Sequence, residues 1–342
     1  MELKDDKVIV GWGLAGSVLA WQFYLKGVGF QVNDSGVNWS TRTAAGLVNP
    51  IVFKRMTKSW NADLLMPYAE EFYSKIEQIL GIQLISRRPI FRVFASTAEE
   101  NDWSAKQGDD RFKAYLSTQS ITKEPSPNHF KFPFGLGCVS TFGSLNTNLF
   151  LDASKIFFER QGIQFINQRF DYSQLVANTA YFFCEGVEIK NNPLFNSLPL
   201  KPTHGETLDI ESSELNFEAT INKNMFLTHV EGNRYKIGAT YNWELNQPDV
   251  TEAARAELVE KLAEFANFEY TILAQNAGIR PTVIDRKPLL GIHPTVKNAI
   301  VFNGLGTKGV MIAPYYAAQL IDHVYADVKL ESEVDIVRFT KE

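Results

Sequence analysis

Hydrophobic and polar positions along this chain follow two different periods. Near the start, Val8, Ile9 and Val10 form a short unbroken apolar run, as in a strand buried on both faces. Val18, Leu19, Trp21, Phe23 and Leu25 then predict a helix, and Gly27 and Gly29 mark its exit. Phe30, Val32 and Asp34 alternate as a second strand does. Residues 35–62 carry no clean period and contain Gly36, Gly46 and Pro50, which predicts a long loop or a broken helix. Leu64, Leu65, Tyr68, Phe72, Ile76 and Leu80 share one helical face, and Gly81 stops that helix.

Residues 82–145 read as strands and loops punctuated by Pro89, Pro125, Pro127 and Pro133. A helix is predicted over 152–160, followed by a strand through Ile163 and Phe165 that reaches toward Phe170. The run from Tyr181 through Cys184, ending at Gly186, predicts a buried parallel strand. Residues 200–243 alternate and turn at Glu231, Gly232 and Asn233, which predicts an antiparallel sheet. Thr251 is placed to cap a helix over 251–265. A strand over 299–302, a glycine loop and a helix over 310–325 close the pattern. The chain is therefore α/β at both ends with a β-rich middle. One nucleotide-binding domain assembled from separated segments fits this better than two beads on a string.

Composition narrows the picture in three ways. A chain of 342 residues that is 45% hydrophobic can bury a large core. A net charge of −5, without long runs of either sign, makes nucleic acid or an anionic membrane an unexpected partner. Two cysteines, Cys138 and Cys184, do not make a disulfide framework and read as core residues. No signal segment is visible and no stretch approaches the ~20 apolar residues of a membrane span, so a cytoplasmic location is expected.

Four constellations carry chemistry. The first is Gly11, Gly13 and Gly16 in the order G-x-G-x-x-G, between a strand and a helix, with Asp34 ending the next strand. Gly11 permits the tight turn, Gly13 admits a pyrophosphate, and Gly16 lets helix and strand lie close. Asp34 either accepts a ribose hydroxyl, pointing to FAD or NAD, or is a turn residue at a strand end. The second is Thr43, Ala44, Ala45, Gly46 and Leu47 with Asn49 and Pro50, small enough for backbone to lie flat against a ring system. The third is Gly304, Gly306, Thr307, Lys308 and Gly309, again after a strand and before a helix. Free N–H groups there would face an electron-rich atom. Lys308 either adds a full charge at that point or is a solvated loop lysine. The fourth is Arg280 between Ile279 and Pro281, whose planar fork suits either a substrate carboxylate or an ion pair with Asp285.

Together these residues resemble the FAD-dependent oxidoreductases of the D-amino-acid oxidase family. The resemblance rests on VIVGWGLAGSVLA, TAAGLVNP, LPLKPTHGE, KIGATY, AGIRPTVIDRKPLLG and FNGLGTKGVMIAP, which occur in this order over nearly the whole chain. It implies a Rossmann-like FAD-binding domain built from residues 1–62, 145–200 and 275–342. A substrate domain on an antiparallel sheet would be built from 63–144 and 201–274. It also implies site residues. Gly11, Gly13, Leu14, Ala15, Gly16, Asp34 and Ser35 would hold the ADP half, with Phe170 near adenine and Gly186 closing a strand beside the cofactor. Ala44, Ala45 and Gly46 would line the flavin. Gly304, Gly306, Thr307, Lys308 and Gly309 would face its pyrimidine edge. Arg280 matches the family's carboxylate-binding arginine.

Three departures stand out. Where family members place a tyrosine hydroxyl, this chain has Met225, Phe226 and Leu227, leaving Tyr241 as either a replacement hydroxyl or a core tyrosine. His204 stands in a segment usually written Pro-x-Arg-Gly, either near the flavin or hydrogen-bonded in the core. Lys54, Arg55 and Lys58 with Trp60 form either an anion pocket or a solvated basic turn. No metal site is expected, and no cysteine is placed for covalent flavin attachment. The expectation is an enzyme with non-covalent FAD that oxidises the C–N bond of an amino acid or N-substituted amine by hydride transfer to flavin N5. Arg280, Tyr241 and Lys308 would be its catalytic residues. The alternatives are a dehydrogenase using an acceptor other than oxygen, a tRNA-modifying oxidase, and a non-catalytic flavin-binding protein.

Overall fold

A computed structural model describes residues 6–37, 39–116, 128–244 and 247–339. The opening apolar run forms the strand Asp6–Val10, which pairs in parallel with Gln31–Asn33 on one side and Thr179–Phe183 on the other. The six-stranded sheet they belong to runs in the order Leu289–Ile292, Ala299–Asn303, Thr179–Phe183, Asp6–Val10, Gln31–Asn33, Phe165–Ile166. Only its first pair is antiparallel. Ile9, Phe182, Phe183 and Val301 are fully buried, which is why these strands read as unbroken apolar runs and do not alternate.

Helices Leu14–Leu25, Ala62–Leu80 and Gly309–Ala326 share a hydrophobic core against this sheet. Two buried polar links fix them in register. Gln22 Nε2 donates to Pro314 O at 2.9 Å, and Tyr73 Oη donates to Val310 O at 3.1 Å.

The second sheet has seven strands in the order Thr271–Arg280, Thr203–Glu211, Arg234–Gly238, Met225–Glu231, Thr220–Lys223, Ile90–Val93, Leu136–Val139. It is antiparallel except where Ile90–Val93 meets Thr220–Lys223. Leu208, Ile210, Ile221, Leu227 and Ile237 face Leu258 and Leu262 of helix Glu252–Ala263, which Thr251 caps through Ala254 N. One register line crosses the sheet as Arg92, Asn222, Phe226, Gly238 and Thr207.

Several elements differ from the sequence reading. Residues 82–145 contain a helix, Thr97–Gln107, beside their strands. Its sequence is polar and buries only Trp103, so it has no apolar period to detect, yet Ser96 Oγ caps Glu99 N at 3.2 Å. The helix predicted over 152–160 begins earlier and runs Thr147–Arg160, because Asn146 caps it. Phe170 lies in a loop after Phe165–Ile166, where Tyr172, Tyr181 and Phe183 hold its ring. Residues 35–62 contain a short helix, Trp39–Thr43, and a hairpin of Ile51–Val52 with Thr57–Lys58. The strand Thr271–Arg280 crosses residue 275 and stays in the seven-stranded sheet to its end.

Candidate active site

A cavity of about 950 Å³ is lined by residues of both sheets. Its first wall is the opening glycine turn. Gly11 has φ +101°, and a Cβ there would stand 2.7 Å from the carbonyl oxygen of Cys184, so a side chain is excluded twice over. A Cβ on Gly16 would stand 2.0 Å from Gly11 O. Gly16 therefore packs the helix on the strand one layer behind the cavity, while Gly11, Gly13, Leu14 and Ala15 line it. Gly13 is the N-cap of helix Leu14–Leu25 and no side chain caps it. Leu14 N donates to Thr41 Oγ1 at 3.1 Å. Beyond Leu14 N, the first turn still presents the N–H groups of Ala15 and Gly16, the arrangement that receives a phosphate. Asp34 Oδ1 accepts Trp12 N at 3.0 Å, which braces the turn and leaves Oδ2 for another donor. Ser35 lies exposed on the rim.

Phe170 and Gly186 line the same end. Between them is Glu185, which the sequence reading passed over. It accepts Tyr172 Oη at 2.6 Å and Asn192 Nδ2 at 2.8 Å, and burial raises its carboxyl above the usual range. Ala44, Ala45 and Gly46 line the middle of the cavity, and Thr43 Oγ1 ties their segment to Ala277 O at 2.8 Å.

The second glycine unit forms the opposite wall. Gly304 lies behind the lining and turns the chain by donating its N–H to Asn303 Oδ1 at 2.7 Å. Gly306, Thr307, Lys308 and Gly309 line the cavity. Gly306 has φ +56°, and a Cβ there would meet nothing within 4 Å. Lys308 is the N-cap residue of helix Gly309–Ala326, again without a side-chain cap. It is not a solvated loop lysine: its Nζ donates to Asn49 O at 2.8 Å, and desolvation pulls its pKa down to about 8. A Cβ on Gly309 would stand 2.9 Å from Leu14 Cδ2, so the two helix starts touch.

Arg280 enters from the end of its strand. Its guanidinium lies so close over Gly205 that a Cβ there would be 2.2 Å away. Nη1 donates to the carbonyls of His204 and Thr240 at 3.3 and 3.4 Å. Burial lowers its pKa, and no carboxylate pairs with it among the described residues. Asp285 pairs instead with Arg338, at 2.9 Å. Tyr241 lies under the guanidinium with 4.5 Å between charge centre and ring, and is 60% exposed, so it is not a core tyrosine. His204 is the core residue: it is fully buried, its ring Nε2 is 3.0 Å from Asp249 O, and it does not line the cavity.

The basic loop is divided. Lys58 pairs with Asp63, and Trp60 stacks on Tyr316 beneath Lys287. Of the three cations, Lys54 lines the cavity. Arg92, Asn222 and Asn224 also line it and were not anticipated. Only the register across the sheet shows that these polar strand positions face inward.

The lining suits a flavin dinucleotide. Two uncapped helix starts, a free carboxylate oxygen on Asp34 and small residues between them provide for phosphates, ribose and a flat ring. Among the described residues no cluster of His, Cys, Asp or Glu could hold a metal, and no helix is long and apolar enough to cross a membrane.

Comparison with known proteins agrees. A stretch of 128 residues, 36% of this chain, is 25% identical to the tRNA 5-methylaminomethyl-2-thiouridine biosynthesis bifunctional protein of Idiomarina loihiensis, and covers 21% of that protein. The crystal structure of glycine oxidase from Geobacillus kaustophilus superposes with a TM-score of 0.80 at 17% identity, over 98% of each chain. Iminodiacetate oxidase from a Chelativorans species gives 0.77 at 17% identity, over 96% of this chain and 98% of that one. At these identities the structural likeness shows a shared fold. A family model described as FAD dependent oxidoreductase (DAO) matches residues 6–323. The chain belongs to that family of FAD-dependent oxidoreductases, and FAD is its cofactor.

Proposed function

We infer that this enzyme oxidises the C–N bond of an amino acid or N-substituted amino acid, and that Arg280 anchors the substrate carboxylate. The observation that carries this reading is a cavity-lining arginine with no carboxylate partner among the described residues, its fork turned over Gly205. A buried guanidinium without a counter-charge is costly unless a ligand supplies one. Tyr241 supports the guanidinium with its ring, and its exposed hydroxyl is the candidate second donor to the carboxylate. The chemistry that FAD supplies when bound is two-electron acceptance, as a hydride at N5, from the carbon bearing a neutral amine. The protein's part is positioning. Arg280 fixes the acid group, Phe226 and the small residues Ala44, Ala45 and Gly46 exclude water, and Lys308 with the start of helix Gly309–Ala326 favours negative charge on the ring edge. The resulting imine hydrolyses in water.

FAD is held without a covalent bond in this reading. Cys138 lies outside the cavity lining, and burial pushes the Cys184 thiol well above its ordinary range, which keeps it protonated. The test is anaerobic mixing of the flavin-loaded protein with D-amino acids, N-methyl amino acids and cyclic imino acids. Bleaching of the flavin absorbance by members of this panel is expected. A flavin that none of them reduces would overturn the reading. A second reading, oxidation of a modified tRNA nucleoside, is favoured by the stretch similar to the tRNA biosynthesis protein. A gel shift with tRNA separates the two, and the net charge of −5 favours the first.

A further inference from the structure

Charged residues in the cavity lining are segregated by sign. Asp34, Glu185 and Glu188 line the end that begins at the opening glycine turn, where the single cation, Arg169, lies 3.6 Å from Glu188. The other end, walled by the seven-stranded sheet, the Phe53–Lys54 turn and the second glycine unit, is lined by Lys54, Arg92, Arg280 and Lys308 and by no carboxylate among the described residues. One acid reaches it from outside the lining: Glu99 Oε1 accepts Arg92 Nε at 2.7 Å. A cationic wall of this kind repels itself unless anions enter.

The reading above assigns Arg280 to a substrate carboxylate and Lys308 to the flavin edge. Two groups are left over. Lys54 has no ion pair among the described residues. Arg92, only 9% exposed over the ring of Phe53, uses Nε for Glu99 and Nη1 for Asn222 Oδ1 at 2.9 Å, which leaves Nη2 without a partner among the described residues.

We propose that the substrate is a compact diacid amine, with one carboxylate at Arg280 and a second at the Arg92–Lys54 end of the cavity. The proposal rests on Arg280 holding the first. The register line sets the length. Arg92 faces Asn222, and beyond it come Phe226, Gly238 and Thr207, the last on the same strand as Gly205. The Arg92 guanidinium already reaches Asn222, and that of Arg280 lies between Gly205 and Thr240 O. Two to three strand steps remain between them, on the order of 10–14 Å. Each ion pair takes up about 4 Å, which leaves roughly 2–6 Å between the two acid groups. That is the span of a molecule with a few bonds between its carboxylates.

Oxydiacetate and methoxyacetate test this, because neither carries an amine to be oxidised. Their binding to the FAD-loaded protein is read as a perturbation of the flavin absorbance. Oxydiacetate should bind about tenfold tighter than methoxyacetate, the factor one charge-assisted contact supplies. Lys54→Gln and Arg92→Lys should each weaken oxydiacetate severalfold and methoxyacetate by less than about twofold, while Arg280→Lys weakens both. Lys54 is exposed, so its variant carries the test if Arg92→Lys does not fold. Equal affinities for the two acids in the unaltered protein, or variants at Lys54 and Arg92 that weaken both alike, would overturn the diacid. Unchanged affinities in Arg280→Lys would overturn the anchor itself.

Discussion

The two strand–turn–helix units of the six-stranded sheet look alike locally and differ in what they admit. Each leaves a strand through glycines and begins a helix with no side-chain cap. The first turn is packed shut behind, with backbone of Cys184 and of Gly11 itself pressed against Gly11 and Gly16. It is braced by a carboxylate, Asp34. The second is open at Gly306 and carries a lysine. The lesson is that the glycine pattern sets a shape, while the neighbouring charge sets what the shape is for. An acid beside an open helix start is suited to a ribose hydroxyl, with the phosphates left to the N–H groups. A cation in the same place is suited to charge that builds up on a ring.

The largest effect should separate the two turns directly. Gly11→Ala is expected to abolish FAD binding, since the methyl group meets Cys184 O in a backbone conformation alanine avoids, whereas Gly306→Ala, also at positive φ but with no protein atom within 4 Å of the added carbon, should weaken FAD binding less. The ratio of flavin to protein absorbance after purification reports this; equal losses in both would erase the distinction. Next, Arg280→Ala should raise KM for an acidic substrate roughly 100-fold, with FAD content unchanged, because charge-assisted contacts are lost at the ring end only. Gly205→Ala should act the same way by displacing the guanidinium. Asp34→Ala should weaken FAD about tenfold, by titration of the apoprotein, and leave KM alone.

The smallest effect concerns pH. The Lys308 ammonium persists below its pKa of about 8 and is lost above it, so flavin reduction should be favoured below that pH and fall as pH rises through it. Lys308→Met should reduce the rate severalfold at pH 7, leave it near the unaltered value at pH 9, and flatten the profile between. A profile in the variant that still falls through pH 8 would assign the titration to another group.

The glycine units were legible because both depend on local spacing. The parallel strands were legible from their apolar runs, and helix Glu252–Ala263 from its threonine cap. Helix Thr97–Gln107 was not, because one buried tryptophan makes no period, although Ser96 and Glu99 were a usable signal. The edge strand Thr271–Arg280 hid for a related reason: much of it is exposed, so its pattern of burial is weak. At the site, Arg280 and Lys308 were legible beside their motifs. Arg92, Asn222 and Asn224 were not, because each stands in or beside a short strand, and only the pairing of that strand with its neighbours decides which face it presents. Glu185 was missed beside Gly186 because a buried acid is recognised only through partners distant in sequence, here Tyr172 and Asn192.

The contact between Gly309 and Leu14 has one more consequence. Leu14 at the start of one helix packs against Gly309 at the start of the other, so the two starts are held at one separation, like marks on a ruler. A cofactor must carry its phosphates and its ring at a fixed separation to engage both marks together. A mononucleotide would reach them only one at a time. A bulkier residue at position 309 should push the two starts apart and weaken FAD binding.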